Sequence, residues 1–241
     1  MKKKKIISAV LFTVGICILL FSGYKIYEIN REYKASESYY EELGKNKTVS
    51  VKEKENKTEE KMLPDFSALK SINTDIYAWI SIPSIGVDYP VLQGENNNSY
   101  LHTLPDGTYN KGGSIFIDER CENDFSSPVT VIYGHCMKDN SMFGLLNRFL
   151  DTSFLNNNKS YEIYTPEKTI TPVIIACFET SEKSDIYNLP SAGNKKRYLK
   201  MLSELCGTDL TAEAFSDKRI IILSTCSFSF EGARTVVVSV F

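Results

Sequence analysis

The chain has 241 residues, 42% of them hydrophobic, and a formal net charge of −2. It is long enough to bury one sizeable core once its polar and apolar N-terminal segments are set aside. Nucleic-acid binding is not expected, because a protein of that class normally carries a basic surplus.

The N-terminal segment has the pattern of a membrane anchor. Residues 1–5 form a basic tail, and residues 6–24 carry no charge. About 20 apolar residues cross a bilayer, and the positive-inside rule puts the basic tail in the cytoplasm. A cleaved signal peptide is the alternative, but no small-residue cleavage site is evident near residues 21–24. We therefore expect a single-pass anchor in the cell membrane, with the rest of the chain extracellular.

Residues 25–61 are predicted to form an extracellular polar stalk. Glu, Lys, Asn, Ser and Tyr dominate this stretch. Such a composition buries too little apolar area to offset the entropy lost on ordering. Any helix near residues 27–43 is therefore expected to be exposed, and the globular domain is expected to cover residues 62–241.

Two short amphipathic helices are predicted at the start of the globular domain. Asp65 is a good N-cap residue before the segment FSALKSI, whose apolar residues are three apart. A second N-cap signal, in the triplet NTD, precedes the segment IYAWI at residues 76–80. Pro83 is expected to end this second helix, because proline is a helix breaker.

The rest of the domain consists mostly of short β-type runs separated by turn residues, which predicts a mainly β fold, either a closed barrel or a sandwich. Helical spacing recurs in residues 141–150 and 195–206. The second of these lies in a long connection, residues 181–218, and long connections usually carry function. The predicted strands are residues 87–93, 113–118, 129–135, 161–165, 170–180, 219–226 and 234–241, with a short edge strand near residues 81–82.

Three residues at strand ends are candidates for chemistry. Cys226 closes one apolar run, Arg234 opens the next, and His135 ends another. Two consecutive strands with a short connection bring the thiol and the guanidinium to one edge of a sheet. The cation favours a nucleophilic thiolate and can stabilise an oxyanion, while the imidazole can act as the general acid or base. Each residue alone also fits a purely structural role, but the joint pattern favours acyl transfer. The only other histidine, His102, is assigned no chemistry.

The remaining five cysteines are not expected to take part. They show neither CxxC spacing nor the density of a disulfide scaffold, and their pairing is left open. A zinc site through His135 and the adjacent cysteine would need a second ligand pair with metal-site spacing, which is missing. No metal or organic cofactor is therefore expected. These cysteines are Cys17, in the predicted anchor, and Cys121, Cys136, Cys177 and Cys206.

Five motifs, in this order along the chain, are shared with a known family. They are IYAWI leading to Ile82-Pro83, then GSIFID at residues 113–118, YGH at 133–135, LSTC at 223–226, and Arg234. Through them the anchor and residues 62–241 resemble a class B sortase of the clostridial type, a membrane-anchored transpeptidase of Gram-positive bacteria. One departure is Cys136, where a polar residue such as Asn is expected.

The resemblance implies a closed eight-stranded β-barrel with two N-terminal helices and a helix in the long connection before the cysteine strand. It puts His135, Cys226 and Arg234 at the family's catalytic positions. The family cuts surface proteins after the threonine of a C-terminal sorting motif, NPxTN-like or LPxTG-like, and joins them to an amine of a peptidoglycan precursor or cross-linking peptide. The substrate-binding residues that it implies are Asn97, Leu101, Ser224 and Thr225.

Two other functions are weighed against this one. A cysteine peptidase would use the same thiol and imidazole but pass the acyl group to water, and it usually has an Asn or Asp that orients the histidine. A wall-binding module without activity would leave Cys226 dispensable.

Overall fold

The computed structural model describes residues 2–46, 48–52, 60–190, 192–215 and 217–241. The chain divides into two compact units, Met1–Tyr39 and Tyr40–Phe241. Part of the predicted stalk, residues 53–59, lies outside the described residues. The boundaries proposed above for tail, anchor, stalk and globular domain remain predictions.

The described residues of the first unit are all part of one long helix, α1 (Lys2–Asn46). The apolar side chains near its N-terminus are exposed; Phe12 and Leu19, for example, are 72% and 73% accessible. Within the described residues, this is the one helix that has the length and composition to cross a membrane. Large apolar side chains left open in this way are stabilised by a lipid environment.

Packing of the second unit begins at Tyr40. Its side chain and that of Leu43 are 7% and 4% exposed, and the Tyr40 hydroxyl donates to the backbone oxygen of Gly113 at 2.8 Å. The Tyr40 ring also meets Tyr89 edge-on, with centroids 4.9 Å apart. These residues are therefore buried, whereas the polar composition of the segment predicts exposure. Two large side chains three residues apart are enough to pack the end of an otherwise polar helix.

The start of the domain is only partly as expected. A two-stranded sheet, β1 (Thr48–Lys52) with β2 (Glu60–Pro64), is followed by α2 (Phe66–Ile72). This helix is confirmed, and the Asp65 carboxylate caps it by accepting from the backbone N–H groups of Ser67 and Ala68. The second predicted helix is wrong, because its residues lie in strand β3 (Ile76–Ile82). Their apolar spacing fits a helix, but it fits a strand buried on both faces equally well.

Short strands make up most of the remaining chain, as predicted. The run at residues 170–180 is divided, because Pro172 has no N–H to donate to a sheet and separates two strands. The strands after β3 are β4 (Val87–Leu92), β5 (Ile115–Ile117), β6 (Val129–Tyr133), β7 (Glu162–Tyr164), β8 (Thr169–Ile170), β9 (Val173–Ser181), β10 (Ile220–Cys226) and β11 (Ala233–Val240).

The strands β3 to β11 form one curled sheet in the order β8-β7-β3-β4-β5-β6-β10-β11-β9. The fold is mainly β, as expected, but the sheet has nine strands instead of eight. The additional strand arises from the division at Pro172, which separates β8 from β9. In the centre of the sheet, β6 and β10 are parallel, and β10 and β11 are antiparallel. The ends of these three strands carry the candidate site.

The two predicted helices after the first strands have different outcomes. The long connection contains α4 (Lys195–Cys206), as predicted, and its Tyr198, Leu199 and Leu202 pack in the core against β10 and β11. In the segment 141–150 only Leu146–Leu150 is helical, as a 3₁₀ turn, because Met142 has a positive φ of 56°. A third helix, α3 (Thr152–Asn157), follows directly.

Candidate active site

Cys226 and Arg234 lie directly opposite each other in the antiparallel pair β10–β11. Residues paired in this way have their side chains on the same face, with Cβ atoms about 5 Å apart. This confirms the adjacency that two consecutive strands with a short connection predict. A thiol and a guanidinium therefore share one edge of the sheet.

The parallel strand β6 brings His135 to the same edge. Tyr133 pairs with Ser224, and the N–H of Gly134 donates to the backbone oxygen of Ser224 at 3.2 Å. The chain therefore reaches His135 at the level at which β10 reaches Cys226. The three predicted residues come together from three neighbouring strand ends.

A single hydrogen bond fixes the protonation of the imidazole. His135 Nε2 lies 2.7 Å from the backbone oxygen of Leu101. A carbonyl oxygen can only accept, so Nε2 carries a hydrogen in both the neutral and the charged ring. Nδ1 is therefore the nitrogen that can gain and lose a proton during a reaction.

Burial lowers the pKa of His135 below its ordinary value of 6.5. The bond to the Leu101 oxygen raises this pKa, while the charges of His102 and Arg234 lower it further. The net effect is a mostly neutral imidazole at pH 7. Its conjugate acid is correspondingly a stronger proton donor than that of a histidine in water.

His102 contacts this site, although no pattern in the sequence assigns it a role. Its ring stacks on that of His135, with centroids 5.3 Å apart and planes 16° apart. The ring of Tyr109 also lies near His102, with centroids 6.1 Å apart and planes 43° apart. The only signal in the sequence is its position next to Leu101, a residue already implied in the groove.

A groove of about 240 Å³ runs past the three residues. It contains all four residues that the family resemblance implies for substrate binding, so the predicted residues are brought together. It also includes four residues that were not predicted to bind substrate: Asn98, and Phe116, Tyr133 and Gly134 from the shared motifs GSIFID and YGH. The complete lining is Asn97, Asn98, Leu101, Phe116, Tyr133, Gly134, His135, Ser224, Thr225, Cys226 and Arg234.

The long connection reaches the groove through Tyr187. Its hydroxyl is hydrogen-bonded to the Ser224 hydroxyl at 2.8 Å, two residues before Cys226. Burial raises the pKa of Tyr187, so the hydroxyl stays neutral. Thr225 is 3% exposed, and among the described residues its hydroxyl has no hydrogen-bond partner. Strand alternation turns its side chain away from the face that carries Ser224 and Cys226.

Glu182 holds the guanidinium of Arg234. The Nη2 atom of the arginine lies 2.8 Å from Glu182 Oε2, and Nη1 donates to the backbone oxygen of Ala233 at 3.1 Å. A guanidinium has five N–H donors, so the remaining ones can serve a substrate. No sequence pattern connects Glu182 with Arg234, because the two residues are 52 positions apart in the chain.

The cysteines outside the site are unsuited to nucleophilic chemistry. Burial raises the pKa of Cys121 to about 11 and that of Cys177 and Cys206 to about 12. Burial and the nearby Cys226 also raise the pKa of Cys136. All four are free thiols, and at neutral pH they remain protonated and weakly reactive.

Comparisons with known proteins agree with this geometry. The profile of the sortase domain matches residues 80–240. Sortase B of Staphylococcus aureus (strain NCTC 8325 / PS 47) is 30% identical over 246 residues, which cover 99% of this chain and 98% of that protein. A mutant form of Clostridium perfringens sortase B, solved by X-ray crystallography, has a TM-score of 0.66 at 30% identity and covers 73% of this chain and 85% of its own. A Staphylococcus aureus sortase B–substrate complex has a TM-score of 0.71 at 26% identity and covers 88% and 98%. The chain therefore belongs to the sortase family, as a class B sortase, and is a cysteine transpeptidase of the kind that anchors surface proteins.

Proposed function

We propose that this enzyme cleaves a C-terminal sorting motif after its threonine and transfers the acyl group to an amine of the cell-wall peptide. Cys226 is the nucleophile, His135 the general acid and base, and Arg234 the oxyanion or backbone ligand. The observation that carries the proposal is the register of Cys226 opposite Arg234, with His135 at the neighbouring strand end.

In the first half of the reaction, the thiol proton of Cys226 moves to Nδ1 of the neutral His135, and the resulting thiolate attacks the threonine carbonyl carbon and forms the C–S bond. Negative charge develops on the carbonyl oxygen, and a free N–H donor of Arg234 stabilises it. The C–N bond then breaks. The leaving amine takes the proton from Nδ1 of the His135 imidazolium, and the acyl group remains on sulfur as a thioester.

In the second half, an amine attacks the thioester carbonyl. The neutral His135 accepts a proton from this amine through Nδ1, a new amide bond forms, and the C–S bond breaks to restore the thiolate and the imidazolium. The reaction needs no redox partner, and the proton lost from His135 to the leaving amine is replaced by the one taken from the acceptor amine. The acceptor is an amine of a peptidoglycan precursor or cross-linking peptide, either a glycine N-terminus or a diaminopimelate side chain.

The groove is the proposed site for the sorting motif, NPxTN-like or LPxTG-like. Asn97 and Leu101 lie on one side of Cys226, and Ser224 and Thr225 precede it on β10. A relative of the same fold, Staphylococcus aureus sortase B, has been solved as a complex with substrate, which supports substrate binding by this chain as well. Because Tyr187 contacts Ser224, we assign part of the motif preference to the connection of residues 181–218.

We also propose the location of the enzyme. Residues 6–24 anchor it in the cell membrane as a single pass, residues 1–5 face the cytoplasm, and the catalytic unit is extracellular. The exposed apolar side chains of α1 support this placement. Tethering keeps the active site close to membrane-bound wall precursors and to newly exported surface proteins.

The test is a reaction of the full-length chain, purified in detergent, with a panel of fluorogenic sorting peptides. Each peptide is incubated with and without triglycine or a diaminopimelate peptide, and the products are identified by mass spectrometry. We expect cleavage after threonine and an amide product when the amine is present, with no reaction by Cys226→Ala. Cys206→Ser, which changes a thiol outside the groove, is the matched control.

If the product is a free acid with every amine tested, the enzyme is a hydrolase. One structural feature disfavours that alternative. Nε2 of His135 is bonded to a backbone carbonyl, whereas cysteine peptidases usually orient this ring with an Asn or Asp side chain.

A further inference from the structure

Asp118, directly after β5, is a buried carboxylate that the reaction above does not use. It is 0% exposed, and it pairs with Arg120, whose Nε and Nη2 donate to it at 2.8 Å each. Burial alone would raise the pKa of Asp118, but the hydrogen bonds from Arg120 and Tyr133 outweigh that effect and lower it. The group is therefore an anion beneath the groove at neutral pH.

Two residues of the groove wall donate to this anion. The Tyr133 hydroxyl lies 2.9 Å from Asp118 Oδ2, and Asn97 Nδ2 lies 3.2 Å from the same oxygen. One donor comes from β6 and the other from the loop between β4 and β5. Asp118 therefore connects two otherwise separate parts of the groove.

The orientation of the Asn97 amide follows from these contacts. Its Oδ1 accepts from the backbone N–H of Glu119 at 2.9 Å, and its Nδ2 faces a carboxylate, which can only accept. Rotation of the amide by 180° would place oxygen against oxygen and N–H against N–H. The amide is thus locked, and its Nδ2 retains one further hydrogen.

Tyr133 connects Asp118, through Tyr187, to the strand that carries the nucleophile. Its ring lies 6.2 Å from that of Tyr187, which in turn is hydrogen-bonded to Ser224. The Asp118 carboxylate therefore contacts two residues of the groove lining, Asn97 and Tyr133, but does not itself line the groove.

We propose that Asp118 is a positioning residue for substrate recognition, which locks the Asn97 amide so that its free Nδ2 hydrogen meets a carbonyl or carboxamide oxygen of the sorting peptide. This inference rests on the proposed function and deepens it. It identifies the chemical class recognised at this wall, a hydrogen-bond acceptor oxygen, and explains why a buried charge lies there.

The test compares steady-state kinetics of full-length wild type and Asp118→Asn on one sorting peptide. The substitution removes the charge and lets the Asn97 amide rotate. We expect KM to rise by up to about ten-fold, as for the loss of one neutral hydrogen bond to the peptide, with kcat changed less than about two-fold, since the reacting groups are untouched. The control is Asp124→Asn, an exposed carboxylate that accepts from the backbone N–H of Ser126 and does not line the groove.

A double-mutant cycle shows whether Asp118 acts through Asn97. In the Asn97→Ala background, Asp118→Asn should change KM less than about two-fold, because the amide that it orients is gone. An equal rise of KM in both backgrounds, or no rise in the wild-type background, overturns the inference. If wild type cleaves none of the peptides, the proposed function itself fails, which is a separate outcome.

A measurement without substitution at Asp118 covers the case in which that variant does not fold. In ¹⁵N-labelled wild type, the Asn97 side-chain amide should show two distinct hydrogens with slowed exchange, and its signal should shift when a sorting peptide binds to the Cys226→Ala form. Rapid exchange together with no shift would overturn the inference.

Tyr133→Phe, which removes only one donor to Asp118, should raise KM by a smaller factor than Asn97→Ala.

Discussion

The rings of His102 and His135 are stacked, with their centroids 5.3 Å apart. The His102 charge lowers the pKa of His135, and so does the burial to which its ring contributes. His102→Gln removes a charge and uncovers one face of the ring, and both changes favour the imidazolium. We expect the pKa of His135 to rise toward its ordinary value.

The measurement is a ¹H–¹⁵N titration of the imidazole signals of the full-length protein. With only two histidines in the chain, the variant leaves a single signal to follow. Tyr109→Phe, which keeps an aromatic ring beside His102, should leave the His135 titration unchanged. An unaltered midpoint in His102→Gln would show that the stacking has no electrostatic consequence.

Arg234→Lys should lower kcat/KM severely, by at least ~10²-fold, since an ammonium cannot offer several donors in one plane. Glu182→Gln should cost much less, because it keeps a hydrogen-bond acceptor for the guanidinium and leaves the arginine charged. Both variants should melt close to the wild-type temperature, as a half-exposed ion pair contributes little to stability. Near-normal turnover by Arg234→Lys would remove the arginine from the catalytic set.

Cys226 should be the one thiol of the second unit that reacts rapidly with iodoacetamide at neutral pH. Burial raises the pKa of the other four thiols, so we expect slow labelling there. Cys136→Ser should keep most of the activity, although the charges of the two thiols influence each other. Peptide mapping after brief labelling decides the matter, and preferential modification of Cys136 would contradict the assignment.

The sequence indicated the candidate site better than it indicated the surroundings of that site. Cys226, His135 and Arg234 each stand at the end of an apolar run, and strand ends meet at a sheet edge, so local pattern was sufficient. The α4 helix could also be predicted, because its apolar residues repeat at helical spacing. The segment at residues 76–80 was misread, since the same spacing suits a strand buried on both faces.

The supporting contacts could not be predicted, because they join residues that are far apart in sequence. Glu182 and Arg234 are 52 residues apart, and Asn97 and Asp118 are 21 apart. No periodicity marks such pairs, and a carboxylate in a sequence looks the same whether it is solvated or buried beneath a groove. The burial of Tyr40 could not be predicted either, because the residues around it in the sequence are mostly polar.

Tyr40→Phe tests that contact. It removes a buried hydroxyl that donates to Gly113 but keeps the ring against Tyr89, so we expect a loss of about 1 kcal/mol in the free energy of unfolding of the second unit. Tyr27→Phe, at an exposed position of α1, should have no effect. Equal stabilities of the two variants in chemical denaturation would mean that the Tyr40 hydroxyl contributes nothing.

Acidification should destabilise the second unit in a predictable direction. The folded-state pKa of His135 and that of Asp118 both lie below their ordinary values of 6.5 and 3.8. Between the folded-state pKa and the ordinary pKa of each group, the unfolded chain binds more protons than the folded chain. The free energy of unfolding therefore falls as the pH falls through this window. Melting temperatures should therefore decline from pH 7 toward pH 4 and further below it. Asp118→Asn should weaken the dependence below pH 4 only; an unchanged slope there would contradict a charged, paired Asp118.

The central claim is that an acyl group rests on Cys226 and leaves on an amine. Intact-protein mass spectrometry of the full-length enzyme, sampled during reaction with a sorting peptide, tests it most directly. We predict an adduct with the mass of the acyl fragment, mapped to Cys226, that accumulates without amine and disappears with amide formation when the amine is added. No adduct on Cys226 during active turnover, or an adduct that decays to free acid equally fast whether or not an amine is present, would contradict the account.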